Sequence, residues 1–325
     1  MSTAGAAAAA GTAIAFPGIG PTEFADMAKF LLVDNDAREL TAVADEVLGY
    51  SVIDRYGQAE QPYEPPERVA FLLVCLALAR RAERAAGAPA GLCAGPSFGG
   101  LPAAVHAGAL TLPDAVTITA EWTTHVKEFF ATAYSDVVTQ SFARVPAEEL
   151  AEIRAELAAE GEWSEIACHV DERFWMLSVR ESRLEWLRQR LRAVGGFPLY
   201  TMRPPMHSPA FAPLRDRIER ELFAGLPFAD PAIPVVCDHD GSLLTSAEGV
   251  RTMLLDGVVR PVSWPAVADA FAARGVAAVY VAGPDGLWGR VPCMSSRFDV
   301  VTLTPRDALR PRGRPRQSAL AGSDR

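Results

Sequence analysis

The chain has 325 residues, half of them hydrophobic, and a net charge of −9. That is enough apolar material for one large core and a second, smaller one. The acidic balance argues against general nucleic-acid binding. Cysteines occur at 75, 93, 168, 237 and 293 with no C-x-x-C pair. This argues against a zinc centre or a disulfide scaffold and suits a reducing cytoplasm, where we expect the protein to reside.

The opening MSTAGAAAAAG lacks the positive region of a signal peptide, so residues 1–11 are expected to be a disordered lead-in. The first strand is expected over Thr12–Phe16, closed by Pro17-Gly18-Ile19-Gly20. Helical patterns follow at 22–31, 36–48 and 66–86. The longest apolar run, Val69–Ala79, has eleven residues, well short of the ~20 that cross a bilayer. No membrane association is expected. Ala90–Ala94 has the character of a buried strand, with a helix starting at or just after Ser97. Another helical stretch covers 114–132.

Residues 137–202 change texture. VVTQSFARV alternates as a strand does, and PAEELAEIRAELAAEG follows with Pro146 at a helix start. EWSEIACHV and RFWMLSV predict two strands joined at Asp171-Glu172. ESRLEWLRQRLRAVGG predicts a helix ending at glycines, and FPLYTM predicts a last strand. The order β-α-β-β-α-β is the ferredoxin-like pattern. The chain then returns to α/β texture. Helices are expected over 211–224, 249–258 and 264–273, and strands in IPVVCD, VAAVYVAG and FDVVTLTP. The expected fold class is therefore α/β. Residues 12–136 and 203–305 form a large subdomain, 137–202 an inserted ferredoxin-like small subdomain, and 306–325 a flexible basic tail.

Gly95-Pro96-Ser97-Phe98-Gly99 has G-x-S-x-G spacing between a strand and a helix, the context in which that spacing presents a nucleophile. A serine hydroxyl needs a base within hydrogen-bond reach and donors for the oxyanion. The Phe98 N–H, at a helix N-terminus, is one such donor. Five histidines compete for the base. His106 and His125 lie in helical stretches and His169 in a strand of the small subdomain. His239 sits in Cys237-Asp238-His239-Asp240-Gly241, which has metal-ligand residue types but the look of a turn after a strand; no metal site is assigned. His207 lies in the proline-braced loop Arg203-Pro204-Pro205-Met206-His207-Ser208-Pro209, where the small subdomain hands back to the large one. Clefts favour such boundaries, so His207 is the best base.

Four segments resemble the malonyl-CoA:acyl-carrier-protein transacylase family, which includes the acyltransferases of polyketide synthases. Phe16-Pro17-Gly18-Ile19-Gly20 resembles its opening F-P-G-Q-G, and Gly95–Gly100 its G-H-S-L-G-E. Met206-His207-Ser208-Pro209 resembles its histidine motif, 110 residues after the serine. Arg260-Pro261-Val262-Ser263-Trp264 resembles its P-V-x-W segment. The resemblance implies an α/β-hydrolase-like large subdomain and an acyl-enzyme on Ser97, with His207 as base. It also implies oxyanion donors at the backbone of Ile19 and Phe98 and a backbone carbonyl near Gly257 that orients His207. The glycines at 18 and 20 would let the chain approach closely. The implied partners are donor and acceptor acyl carrier proteins. The acyl group rides on a phosphopantetheine arm or coenzyme A, and no cofactor is bound.

Departures from the family narrow the acyl group. The family arginine that meets the malonyl carboxylate aligns with Trp122, and no arginine occurs over 85–143. An unpartnered buried carboxylate is costly. Pro96 replaces a histidine, Gly100 a glutamate, and Pro204-Pro205-Met206 precedes the base. Trp122, Met206 and Pro96 are the expected pocket residues. Together they resemble discrete acyltransferases of macrolactam pathways that move aminoacyl or dipeptidyl units between carrier proteins. Malonyl transfer, hydrolytic editing and a non-catalytic carrier-binding module are the alternatives. Carrier proteins are acidic, so Arg154, Arg203, Arg290 and Arg297 are the contact candidates.

Overall fold

The computed structural model describes residues 11–20, 22–61 and 63–310. Its strands, in chain order, are β1 (Thr12–Ala15), β2 (Leu92–Ala94), β3 (Val137–Ala143), β4 (Ser164–Asp171), β5 (Phe174–Arg180), β6 (Phe197–Met202), β7 (Val235–Val236), β8 (Leu243–Leu244), β9 (Val262–Ser263), β10 (Ala278–Ala282) and β11 (Asp299–Leu303). The short apolar runs TAIA, LCA and VV become strands buried on both faces, as parallel strands are. They form one sheet in the order β11-β10-β1-β2-β7-β8, in which only β8 runs antiparallel to its neighbour.

Helix Pro65–Ala86 crosses one face of this sheet. Every residue from Val69 to Ala79 is buried, so its apolar run is a core element. A proline starts it and Gly87, in the left-handed conformation, ends it. Helix Trp264–Ala273 covers the other face with the buried side chains of Trp264, Val267 and Phe271.

The second sheet has the order β6-β3-β5-β4-β9. Its first four strands alternate in chain order with helices Ala147–Ala159 and Leu184–Ala193, which gives the ferredoxin-like arrangement. Leu150, Ile153 and Leu157 of one helix and Leu187 and Leu191 of the other close a separate core against Val138, Phe142 and Leu177. The fifth strand, β9, belongs to the large unit and pairs in parallel with β4 through Cys168–Val262 and His169–Ser263. A two-residue ladder thus continues the small sheet into the segment that follows Arg260.

Four sequence expectations change. IPVVCD contributes only a two-residue strand, because the chain must turn at Asp238. The helix expected over 211–224 is α-helical only to Ile218 and finishes as a π-helical turn over Glu219–Phe223. The flexible tail expected over 306–325 is corrected at its start: Pro305–Leu309 is helical, capped by the Thr304 hydroxyl, with Arg306 paired to Asp26. The lead-in expected over 1–11 is corrected at Gly11, whose carbonyl accepts from the Ala277 and Ala278 N–H groups; its residues 1–10 and the tail's 311–325 lie outside the described residues. Among the described residues no helix is long and apolar enough to cross a membrane.

Candidate active site

Ser97 stands where β2 ends and a short 3-10 turn leads into helix Gly100–His106. Two glycines force the turn. A Cβ on Gly95 would lie 2.1 Å from the Gly99 carbonyl oxygen, and one on Gly99 would lie 2.3 Å from the Phe16 carbonyl oxygen. Only backbone movement relieves either contact. The chain doubles back within five residues and places Ser97 at φ 55°. A left-handed non-glycine residue costs roughly 1–3 kcal/mol and persists only where its surroundings hold it. Here the Ser97 N–H donates to Asp238 Oδ2 at 2.8 Å. Asp238 is buried two residues beyond β7, which pairs in parallel with β2. The carboxyl ends of adjacent parallel strands therefore deliver both residues to one place.

His207 also has a left-handed backbone, with φ 67°. Its N–H and that of Ser208 both donate to the Val258 carbonyl, at 3.0 and 3.2 Å. This double contact fixes the loop, and the ring points Nε2 at Ser97 Oγ, 2.9 Å away. Burial holds the imidazole pKa down to about 4, with the neighbouring His239 acting in the same direction. The Gly257 and Arg260 carbonyls face the ring and oppose that shift, but Nδ1 is buried without a hydrogen-bond partner among the described residues. The ring is thus neutral near pH 7, with Nε2 able to accept a proton once Nδ1 carries the ring hydrogen.

The other histidines are placed elsewhere. His106 lies against Phe16, 3.6 Å from Glu83. His125 pairs with Glu221 at 2.9 Å. His169 stacks on Trp175. His239 lies beneath the elbow, 3.4 Å from Asp238. Cys237, Asp238 and His239 are close enough to hold an ion, and His239 Nδ1 has no hydrogen-bond partner among the described residues. Asp238 accepts from Ser97, and His239 Nε2 lies 3.3 Å from the Met253 carbonyl. Burial pushes the Cys237 thiol up to about 11.

Ser97 and His207 open on a cavity of about 560 Å³ between the two sheets. The large unit lines it with Gly18, Ile19, Phe98 and Leu254, and the small unit with Thr139, Cys168, Met176 and Met202. Ile19 and Phe98 flank the nucleophile because Phe16 and Pro17 pack directly on Gly99. Gly18 is closely packed there, since a Cβ would meet Pro96 O and Trp288 Nε1 at 3.2 Å; a Cβ on Gly20 would meet nothing within 4 Å, so that glycine serves no close approach. Trp122 and Met206 line the cavity, Trp122 among Ile118, Val126 and Phe223. Pro96 does not: it is buried behind the elbow, its carbonyl accepting from Gly99. A residue preceding a left-handed nucleophile points away from the space the nucleophile faces.

Of the four arginines considered for partner contact, Arg203 alone lines the cavity, exposed and paired with Glu181. Arg290 and Arg297 are exposed, Arg297 paired with Asp269 at 2.7 Å. Arg154 is half-buried and reaches the Ser164 carbonyl of its own unit. Sequence reasoning missed two residues. Asp238 carried one usable signal, an acid at the carboxyl end of a buried strand. Arg68 carried none, because it lies 29 residues before the serine and reaches the cavity only when helix Pro65–Ala86 is packed.

Residues 141–202 match the family model described as the VinK acyltransferase small domain. Over 299 residues the chain is 26% identical to the malonyl CoA-acyl carrier protein transacylase of Salmonella typhimurium, spanning 90% of this chain and 94% of that protein. The Escherichia coli K12 transacylase gives the same figures. Among solved structures, a malonyl-transacylase bound to its type II PKS acyl-carrier protein superposes with a TM-score of 0.79 at 21% identity, covering 90% of this chain and 96% of that one. The acyl carrier protein S-malonyltransferase of Vibrio cholerae gives 0.75 at 23%, covering 92% and 99%. The fold is theirs, an α/β-hydrolase-like large unit with a ferredoxin-like small one.

Proposed function

We propose that this chain, an acyltransferase similar to the malonyl-CoA:acyl-carrier-protein transacylases, moves an acyl group between thiols through an acyl-enzyme on Ser97. The observation that carries the reading is the 2.9 Å contact between Ser97 Oγ and His207 Nε2 at the floor of the inter-sheet cavity. Ser97 Oγ attacks the thioester carbonyl as its proton passes to His207 Nε2. The Phe98 and Ile19 N–H groups receive the oxyanion. The C–S bond then breaks, and His207 returns the proton to the departing sulfur. A second thiol gives its proton to His207 and attacks the ester, which regenerates Ser97. Gly257, near the histidine loop, is the proposed backbone orienter of that ring.

The thiols are proposed to be the phosphopantetheine arms of donor and acceptor acyl carrier proteins, or coenzyme A as donor. Arg203 at the cavity rim is the best placed of the contact candidates. For the acyl group, the apolar surround of Trp122 supports a non-malonyl unit, aminoacyl or dipeptidyl. The small-unit match to VinK acyltransferases supports a place in polyketide macrolactam assembly and hence antibiotic biosynthesis. The second reading is malonyl transfer, favoured by the 26% identity to malonyl transacylases. Incubation with a panel of acyl thioesters, followed by intact mass, tests both. A Ser97 adduct that a carrier thiol discharges is expected, and Ser97→Ala should lower adduct formation by at least about 10³-fold. Efficient malonyl loading would sink the non-malonyl reading, and release of free acid in place of acyl-carrier product would mark a hydrolase.

A further inference from the structure

Among the charged residues on the cavity, Arg68 is not used by the transfer chemistry and has no carboxylate hydrogen-bonded to it among the described residues. Arg68, in the first turn of helix Pro65–Ala86, lines the cavity with its guanidinium over the Phe98 ring, 5.9 Å from the centroid. Phe98 follows the nucleophile directly. Nε of Arg68 donates to the Tyr63 carbonyl at 3.3 Å. Its terminal nitrogens have no partner among the described residues. The obvious counter-ion is already taken: Glu67 Oε1 accepts from the Thr22 hydroxyl at 2.9 Å and Oε2 from the Tyr63 N–H. The acid that lines the cavity among the described residues, Asp285, accepts the N–H groups of Leu287, Trp288 and Gly289. Arg203, the other cavity arginine, is paired with Glu181.

A guanidinium that is mostly buried, anchored at one edge and open at the other is a fork held ready for an oxygen acceptor. Glu67 beside it offsets part of the charge but makes no hydrogen bond to it, so the open edge of the fork is left for another acceptor. The Tyr63 carbonyl, just before the helix, holds its Nε edge, and the Phe98 ring lies beneath its Cζ. The wall around Trp122 is mostly apolar, with Ile118, Val126 and Phe223, and its Thr119 hydroxyl donates to the Ala115 carbonyl.

We propose that Arg68 is a specificity-determining residue that donates to a second oxygen acceptor of the acyl group, one beyond the thioester carbonyl. An amide carbonyl or a carboxylate would serve. A free ammonium beside Arg68 would face a like charge, so within the aminoacyl or dipeptidyl reading the group that meets Arg68 is an oxygen acceptor, such as the internal amide carbonyl of a dipeptidyl unit, and the amine lies elsewhere. The proposal rests on the acyl-enzyme reading of Ser97.

Four pantetheine thioesters of similar length separate these cases: butyryl, malonyl, N-acetyl-β-alanyl and β-alanyl. Initial rates of Ser97 acylation are read by intact mass for the wild type, Arg68→Ala and Arg68→Lys. Arg68→Ala should lower loading of malonyl, N-acetyl-β-alanyl or both by 30-fold or more, while butyryl changes less than about 3-fold and β-alanyl is unchanged or faster. Arg68→Lys keeps the charge but loses the fork, so it should rescue a carboxylate better than an amide. An equal fall for all four thioesters, or no fall for any, would overturn the proposal. Binding of the same compounds to Ser97→Ala protein with and without Arg68→Ala gives a readout independent of catalysis, and selective weakening of the acceptor-bearing compounds is expected there too. If the wild type acylates with none of the four but the binding selectivity appears, the acyl-enzyme reading fails and the Arg68 assignment stands.

Discussion

At the floor of the cavity, Ser97, His207 and the Phe16–Gly20 loop are set by main-chain contacts; at its walls, Trp122 and Arg68 touch the space only through side chains. The floor is over-determined. Gly95 and Gly99 admit no Cβ, two left-handed residues face each other, and three backbone N–H bonds, from Ser97, His207 and Ser208, lock them. The walls carry no such constraint. Trp122 sits mid-helix, edge-on to Phe223, and Arg68 occupies a helix's first turn. The difference teaches where chemistry and selectivity reside: changing the floor should stop every substrate, whereas changing a wall should re-rank them.

The sharpest way to break this contrast is Gly95→Ala. The added methyl group meets backbone at 2.1 Å, so the elbow must open. Destabilisation of about 3–5 kcal/mol is expected, in the range reserved for strain and overpacking at special backbone positions. The thermal midpoint should fall by several degrees, and Ser97 loading should vanish with every thioester. A folded variant with selective, partial loading would show that the floor is softer than its geometry indicates.

Trp122→Arg probes a wall. A guanidinium there would stand among Ile118, Val126 and Phe223 without a carboxylate of its own. It would give a malonyl carboxylate the partner it lacks on that side, which is worth roughly 1–3 kcal/mol for a charge-assisted hydrogen bond. Malonyl loading relative to butyryl should rise by about 10-fold or more, and the thermal midpoint should fall because the new guanidinium is unpaired against apolar side chains. If the ratio of malonyl to butyryl rates does not move, Trp122 does not face the acyl group.

The same contrast explains what the sequence revealed. Elements of the floor are local: a strand, a turn with two glycines, a helix, and a proline-braced loop with one histidine. Each is specified by neighbours in the chain, and the expected strands and helices near it fall within a few residues of those observed. Trp122 was found only through alignment to an arginine, and Arg68 was not found at all. Both depend on how a helix is rotated when it packs, and no local pattern encodes that. Pro96 failed for the opposite reason. It is next to the nucleophile in sequence, but the left-handed turn at Ser97 sends it behind the sheet.

The smallest expected effect belongs to the protonation of the base, and it separates a dry floor from a wet one. Burial, with His239 nearby, lowers the His207 pKa from 6.5 to about 4. Catalysis needs the neutral ring, because Nε2 must accept the serine proton. The acid limb of kcat/KM for Ser97 loading, which reports the free enzyme, should therefore lie near pH 4, and the rate should stay nearly flat from pH 5 to 7. Stability follows the same sign. Between the two values the unfolded chain binds the proton and the folded chain does not, so stability is fully present above pH 6.5 and is lost as pH falls towards 4. Substituting His239 with Asn removes the like-charged neighbour and should move the limb upward. A limb near 6.5 in the wild type would mean that water reaches His207 while the site works. Wall substitutions such as Trp122→Arg should then shift it little, since water in the cavity screens a cation placed at the wall.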